Sequence, residues 1–156
     1  MDQRSGFLKW ERRFLRMARE VSEWSKDPTT CVGCVIARGN RFVSLGYNGF
    51  AAKVDDTAER QTNRDVKLKL TIHAEENAIL FASRAALLGA TAYTYPFGPC
   101  ATCMAKLIQV GITKIVTVKC DDDDLLARWA DDLGLASQQR KEANVIYREL
   151  TPMVLE

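Results

Sequence analysis

His73 is the only histidine in the chain, and Glu75 stands two residues behind it; further on, Pro99 leads into Cys100 and Cys103. An imidazole and two thiolates suit Zn²⁺. Three protein ligands leave the fourth tetrahedral position to water, the layout of a catalytic rather than a structural zinc site. Zinc lowers the pKa of such a water to about 7, so hydroxide is available at neutral pH. A carboxylate beside it can take the water's proton and return it to a ring nitrogen and a departing amine. The spacing therefore predicts one zinc per chain, held by His73, Cys100 and Cys103, with Glu75 as proton shuttle. A non-catalytic zinc module is the alternative from outside enzyme chemistry, and Glu75 discriminates, because a structural zinc has no use for a proton shuttle.

Such a site needs two helix starts presented by strand ends. Apolar residues from Phe7 to Trp24 recur at spacings of three and four, predicting an amphipathic first helix that ends near Asp27-Pro28. Two β-rich runs follow, Cys31 to Ala37 and Phe42 to Tyr47, divided by the turn Arg38-Gly39-Asn40-Arg41. Residues 51–71 read as a polar connection with a short helical piece around Ala58 to Arg64. A helix is expected from Ala74 to Leu88, stopping at Gly89, then a strand from Ala90 to Tyr95. Cys100 to Val110 reads as a helix, Ile112 to Val118 as a strand, Leu125 to Leu133 as a helix ending at Gly134, and Val145 to Leu150 as a last strand. The order α-β-β-α-β-α-β-α-β implies a three-layer α/β/α sandwich around a five-stranded mixed sheet, with one domain over 1–156. Both halves of the metal motif then open helices that follow strands. Cysteines three apart on a first helical turn share a face, and the positive end of the helix favours their thiolate form.

His-x-Glu followed by Pro-Cys-x-x-Cys is the signature of zinc nucleobase deaminases. A second Cys-x-x-Cys, Cys31 and Cys34, falls in a predicted strand, where residues three apart point to opposite faces. Both are read as small core residues, and Cys120 as a strand-end residue. The run Asp121 to Asp124 admits a Mg²⁺ site, but acidic side chains before a helix more readily serve as its cap.

Of 156 residues, 47% are hydrophobic, enough for one core, and the net charge is +2 with both signs interspersed. Five cysteines in a chain of this length read as reduced thiols. No apolar run approaches the roughly 20 residues that span a bilayer. The opening Met1-Asp2-Gln3-Arg4-Ser5-Gly6-Phe7 has no apolar signal core. A cytoplasmic protein without a membrane partner is expected. Nucleic acid is not expected either, because the one basic cluster, Arg60, Arg64, Lys67 and Lys69, is interrupted by Asp65 and reads as a solvated loop.

The segments Ser25-Lys26-Asp27-Pro28-Thr29-Thr30-Cys31-Val32-Gly33, Gly46-Tyr47-Asn48-Gly49, His73-Ala74-Glu75-Glu76-Asn77-Ala78-Ile79 and Pro99-Cys100-Ala101-Thr102-Cys103-Met104-Ala105-Lys106 closely resemble the deoxycytidylate (dCMP) deaminase family. The likeness runs from about Trp10 to Val118. It implies a cytidine deaminase-like fold, a zinc enzyme that converts dCMP to dUMP, and a homo-oligomer, often a hexamer. It also implies dCTP and dTTP as effectors, with which Mg²⁺ would enter. On that resemblance Lys26, Ser25 and Thr29 are placed to hold the 5′-phosphate. Asn48 offers its amide to the sugar or phosphate, Gly46 and Gly49 let that loop approach a ligand, and Ala74 and Phe97 complete the expected substrate contacts. The chain departs from the family where Phe50-Ala51-Ala52-Lys53 replaces the usual proline-led loop. A 5-substituted dCMP, free cytidine and adenosine in tRNA stay open as substrates.

Overall fold

The computed structural model describes residues 3–156; Met1 and Asp2 lie outside the described residues, as do the side chains of residues 3–7, Phe7 among them. The chain runs α1 (Gln3–Ser22), β1 (Gly33–Arg38), β2 (Arg41–Tyr47), β3 (Gly49–Phe50), α2 (Ala58–Thr62), α3 (Arg64–Leu70), β4 (Thr71–Ile72) and α4 (Ala74–Leu80). It continues with α5 (Arg84–Leu87), β5 (Thr91–Tyr95), α6 (Ala101–Gln109), β6 (Lys114–Val118), α7 (Asp123–Arg128), α8 (Ala130–Glu142), β7 (Ile146–Leu150) and a closing 3₁₀ turn, Pro152–Leu155. The main sheet has the order β2-β1-β5-β6-β7. Its hairpin half is antiparallel and β5, β6 and β7 are parallel, so the expected mixed five-stranded sheet is present.

Period-2 alternation sorts each strand between two cores. From β1, Val35 and Ala37 turn toward Phe14, Leu15, Ala18 and Val21 of α1. Cys34 and Ile36 turn the other way, toward Ala74 and Ala78 of α4, Met104 and Leu107 of α6, and Ala136 of α8. Helices thus cover both faces, and the metal-motif helices α4 and α6 share one of them. Cys34 is a fully buried core residue as expected, whereas Cys31 precedes the strand and its thiol donates to the Asp27 carbonyl at 3.4 Å.

Glycine at position 46 is what lets α4 lie against β2. A Cβ there would sit 2.3 Å from the Ala74 carbonyl oxygen and 2.4 Å from the Ala78 nitrogen, so the close approach that Gly46 serves is to the helix backbone. Gly49 has open space instead. Two bonds reinforce the contact: Ser44 Oγ donates to the Ala78 carbonyl at 2.7 Å, and Asn77 Nδ2 donates to the Tyr47 carbonyl at 2.8 Å.

Two helices differ from the sequence reading. The helix expected over Ala74 to Leu88 breaks after Leu80, because Ser83 takes extended backbone and caps a second helix, α5, by accepting from the Ala86 N–H. The helix expected to stop at Gly134 passes through it. It is interrupted at Trp129 and ends near Ala143, with Asn144 supplying the left-handed turn at φ 55°. Asp122 does cap α7, accepting from the Leu125 N–H at 2.9 Å.

Candidate metal and nucleotide site

β4 runs straight into His73, which occupies the N-cap of α4; Cys100, immediately after Pro99 and four residues beyond Pro96 of the cis Tyr95-Pro96 bond, occupies the N-cap of α6. The extended backbone of each cap aims its side chain back past the helix start, so two helix ends face one point. His73 Nδ1 lies 3.6 Å from Cys100 Sγ and 3.4 Å from Cys103 Sγ. The three ligand atoms fall within 4.8 Å of one another. Cys103 is fully buried, and its backbone N–H donates to Cys100 Sγ at 3.4 Å.

The donor set fits a bound metal. The Cys103 thiol and, against burial, the His73 ring hold Cys100 down at about 4, while the shared contact and burial push Cys103 up. Two touching thiols in a dry site thus keep one proton between them unless a cation compensates both charges. The Cys100 contact raises the pKa of His73 against the effect of burial. The electrostatics ask for a compact positive charge between one nitrogen and two sulfurs, which is what Zn²⁺ provides.

Glu75 follows within the first turn of α4 and is only 4% exposed. Burial is the chief cause that raises its pKa, and the charge at Cys100 adds to it. The metal corner is also braced from outside. The Ala101 N–H donates to Asp132 Oδ2 at 2.9 Å and Gln139 Nε2 donates to the Ala101 carbonyl at 3.0 Å, fastening α6 to α8, while Glu76 and Lys106 pair between α4 and α6.

His73, Glu75 and Cys100 open onto a cavity of about 480 Å³. Of the residues expected to meet substrate, Thr29, Asn48, Ala74 and Phe97 line it. The amide of Asn48 is already engaged, accepting from the Val32 N–H at 2.8 Å and donating to the Thr30 carbonyl at 2.9 Å, which shapes the loop behind the cavity wall. Ser25 is buried behind that loop and gives its hydroxyl to the Asn48 carbonyl. The Lys26 side chain is 80% exposed, 4.0 Å from Asp56, and does not line the cavity.

The cationic groups that do reach the cavity are Arg64 and Lys67 from α3 and Arg128 from the end of α7. Arg64 and Lys67 belong to the cluster that reads as a solvated loop, because charge spacing alone does not reveal that the loop folds back over a cavity. Arg128 and Trp129 carry no motif, and they come to the rim just before α8, which packs against α6. Among the described residues, no helix is long and apolar enough to cross a membrane.

The model of the cytidine and deoxycytidylate deaminase zinc-binding region matches residues 8–119. A protein of Aliivibrio fischeri described as an uncharacterized deaminase in the luxG 3′ region is 44% identical over 137 residues, covering 88% of this chain and 90% of that protein. Mouse deoxycytidylate deaminase is 31% identical over 157 residues, covering 96% of this chain and 84% of the mouse protein. In fold, the chain resembles a dCMP deaminase of cyanophage S-TIM5, solved with dCMP and dUMP, with a TM-score of 0.70 at 18% identity over 91% of this chain and 97% of that one. The two motif halves that meet at His73 and Cys100 both lie inside the matched region, and the chain belongs to the cytidine and deoxycytidylate deaminase family.

Proposed function

We propose that the chain removes the 4-amino group of a deoxycytidine monophosphate by hydrolysis, giving dUMP and ammonia. The observation that carries this reading is the convergence of His73, Cys100 and Cys103 on one point beside the buried carboxyl of Glu75, at the floor of a cavity whose rim is cationic. Zinc bound by the three ligands supplies a Lewis acid that brings the pKa of a water to about 7.

The chain's own residues do the rest. Glu75 Oε takes a proton from the water as its oxygen bonds to C4 and passes it to the ring nitrogen N3. It then takes the remaining proton from the new C4 hydroxyl and delivers it to the amine, so that ammonia leaves as the C4–N4 bond breaks and the C4 carbonyl forms. The raised pKa of Glu75 suits a group that must both hold and release a proton. Ala74, next to the metal ligand, and Phe97 close the cavity around the base. Arg64 and Arg128 make no ion pair among the described residues and reach the cavity rim, where they can meet a phosphate as charged, multidentate donors. That arrangement supports a nucleotide over a free nucleoside. The interspersed surface charge lends no support to a tRNA substrate.

The same reading includes a cytoplasmic homo-oligomer, for which the exposed Leu80 and Phe81 at the end of α4, 67% and 80% accessible, offer an apolar contact surface. A deamination panel of dCMP, 5-methyl-dCMP, cytidine, dCTP and adenosine, followed by ultraviolet absorbance on the zinc-loaded protein, tests the proposal. dCMP or its 5-methyl form is expected to lead. Turnover of cytidine with none of either monophosphate would refute the phosphate assignment, and no turnover of any member would favour the non-catalytic zinc module.

A further inference from the structure

Neither α2 nor α3 contains a buried residue, yet together they hold Gln61, Thr62, Arg64 and Leu68 over the cavity. Of the flap's apolar side chains only Val66 and Leu70 are even half-buried, so polar ties carry much of its position. At its base the two-residue ladder of β3 and β4 pairs Gly49 with Ile72 and Phe50 with Thr71. Within its span, Lys67 Nζ lies 2.7 Å from Asp27 Oδ1 and 3.2 Å from Thr29 Oγ1, with only 15% and 10% of the Lys67 and Asp27 side chains exposed. The other ion pair across the gap, Lys26 with Asp56, is open to solvent.

The far end of the Lys67 tie is itself fixed. Asp27 Oδ1 also accepts the N–H groups of Thr29 at 2.8 Å and Thr30 at 3.1 Å, and the Asp27 N–H donates to Ser25 Oγ at 3.2 Å. Asn48 fastens the same loop to the end of β2. A shielded, charge-assisted bond between a rigid loop and an unburied helix is worth more than a surface ion pair, and it reports directly on where the helix sits. Lys67 also differs from its neighbours in charge balance. Asp27 neutralises it, while Arg64, three residues earlier, has no acidic partner among the described residues.

We infer that Lys67 is a positioning residue, whose bond to Asp27 latches the α2–α3 flap onto the 27–30 loop and thereby sets Arg64 over the substrate cavity. The inference rests on the proposed function only for the identity of the substrate that the flap covers. The latch is a property of the protein without nucleotide and is tested there first.

The full-length, zinc-loaded chain is compared with Lys67→Ala and Lys67→Arg by amide hydrogen exchange in the absence of nucleotide. Lys67→Ala is expected to speed exchange over residues 53–70 by about tenfold or more while β1, β5 and β6 keep wild-type rates, and Lys67→Arg to stay within about threefold of wild type. Unchanged exchange in Lys67→Ala would overturn the latch whatever the activity. In kinetics, Lys67→Ala should lower kcat/KM for dCMP by about 10- to 100-fold, mostly through KM, and for deoxycytidine by less, because Arg64 is displaced with the flap, with recovery in Lys67→Arg. A loss on dCMP with flap exchange unchanged would make Lys67 a phosphate ligand and sink the latch. Faster flap exchange in a protein whose wild type is inert toward every cytosine substrate would support the latch and count against the proposed function instead.

Discussion

The metal corner and the rim of the cavity are built on opposite principles. At the corner, Ala74, Ala78, Cys103, Met104 and Leu107 are all buried, and Gly46 lets α4 press its backbone against β2. At the rim, α2, α3 and α7 contain no fully buried residue; each is capped by a side chain at its start, and α3 is tied down by the Lys67–Asp27 pair. Burial fixes the corner with the many small contacts of a close-packed core, which permit one arrangement. The rim depends on a few polar bonds, each of which can be broken singly. On the proposed function, the chemistry falls on the rigid part and the choice of substrate on the adjustable part.

If that division is right, changes at the corner should abolish turnover without touching preference. The largest effect is expected from Glu75→Gln, which keeps shape and burial but cannot carry the proton. kcat should fall by about 10³- to 10⁴-fold with zinc still near one per chain. Stopped-flow or long-incubation absorbance assays together with metal analysis would check it. Normal turnover in this variant would contradict the proton-shuttle role. Next, His73→Ala removes one of three ligands and leaves Cys100 without the ring that stabilises its thiolate. Zinc content by plasma mass spectrometry should drop well below one per chain, and the thermal midpoint should fall with it, because metal binding to the folded state is lost. Full zinc occupancy would point to another ligand set.

Changes at the rim should instead move preference. Arg128→Ala leaves the core intact and removes a guanidinium from the cavity edge. It should lower kcat/KM for dCMP by about 10- to 100-fold while leaving deoxycytidine within about threefold. An equal loss on both compounds would mean that Arg128 shapes the cavity rather than reading the phosphate.

The same contrast explains what could be read from the sequence. The corner was legible because its ligands are rare residue types at short spacings, with proline, glycine and strand–helix alternation marking where each half begins. The layers and strands followed from periodicity, since buried alternation in β1 and β6 reflects the two cores directly. The rim was less legible, because its cavity residues come from segments with ordinary polar composition. Lys26 and Lys67 are both lysines near Asp residues, and only the fold tells which one faces solvent and which one faces the cavity. Helix ends failed where a cap outweighed a stop: Ser83 divides one expected helix, and Gly134 sits inside another.

A smaller effect separates the two regions by pH. Burial alone would raise the pKa of Asp27, but the Lys67 bond and the Thr29 and Thr30 N–H groups hold it below its ordinary value of 3.8. A carboxyl depressed in the folded state stabilises above its unfolded pKa, and that contribution is lost as pH falls through the folded value. Between about pH 5 and pH 3, wild type should therefore lose more thermal stability than Asp27→Asn, with the two curves converging at the acid end. Parallel curves over that window would remove the pairing from the account of the rim.

The smallest effect is expected at Lys26. Its side chain is 80% exposed, its one acidic neighbour is 4.0 Å away, and it does not line the cavity. An exposed pair of that length is screened by salt and holds two side chains only loosely. Lys26→Ala should leave kcat/KM for dCMP within about twofold and flap exchange unchanged. The comparison with Lys67→Ala is the informative one, because the two lysines bridge the same gap between the 25–30 loop and the flap and differ chiefly in shielding. A tenfold rise in KM for Lys26→Ala, measured at several salt concentrations, would mean that the 25–30 loop moves to bring Lys26 onto the phosphate during turnover. Substrate choice would then lie in the motion of the rim rather than in the position it holds before substrate arrives.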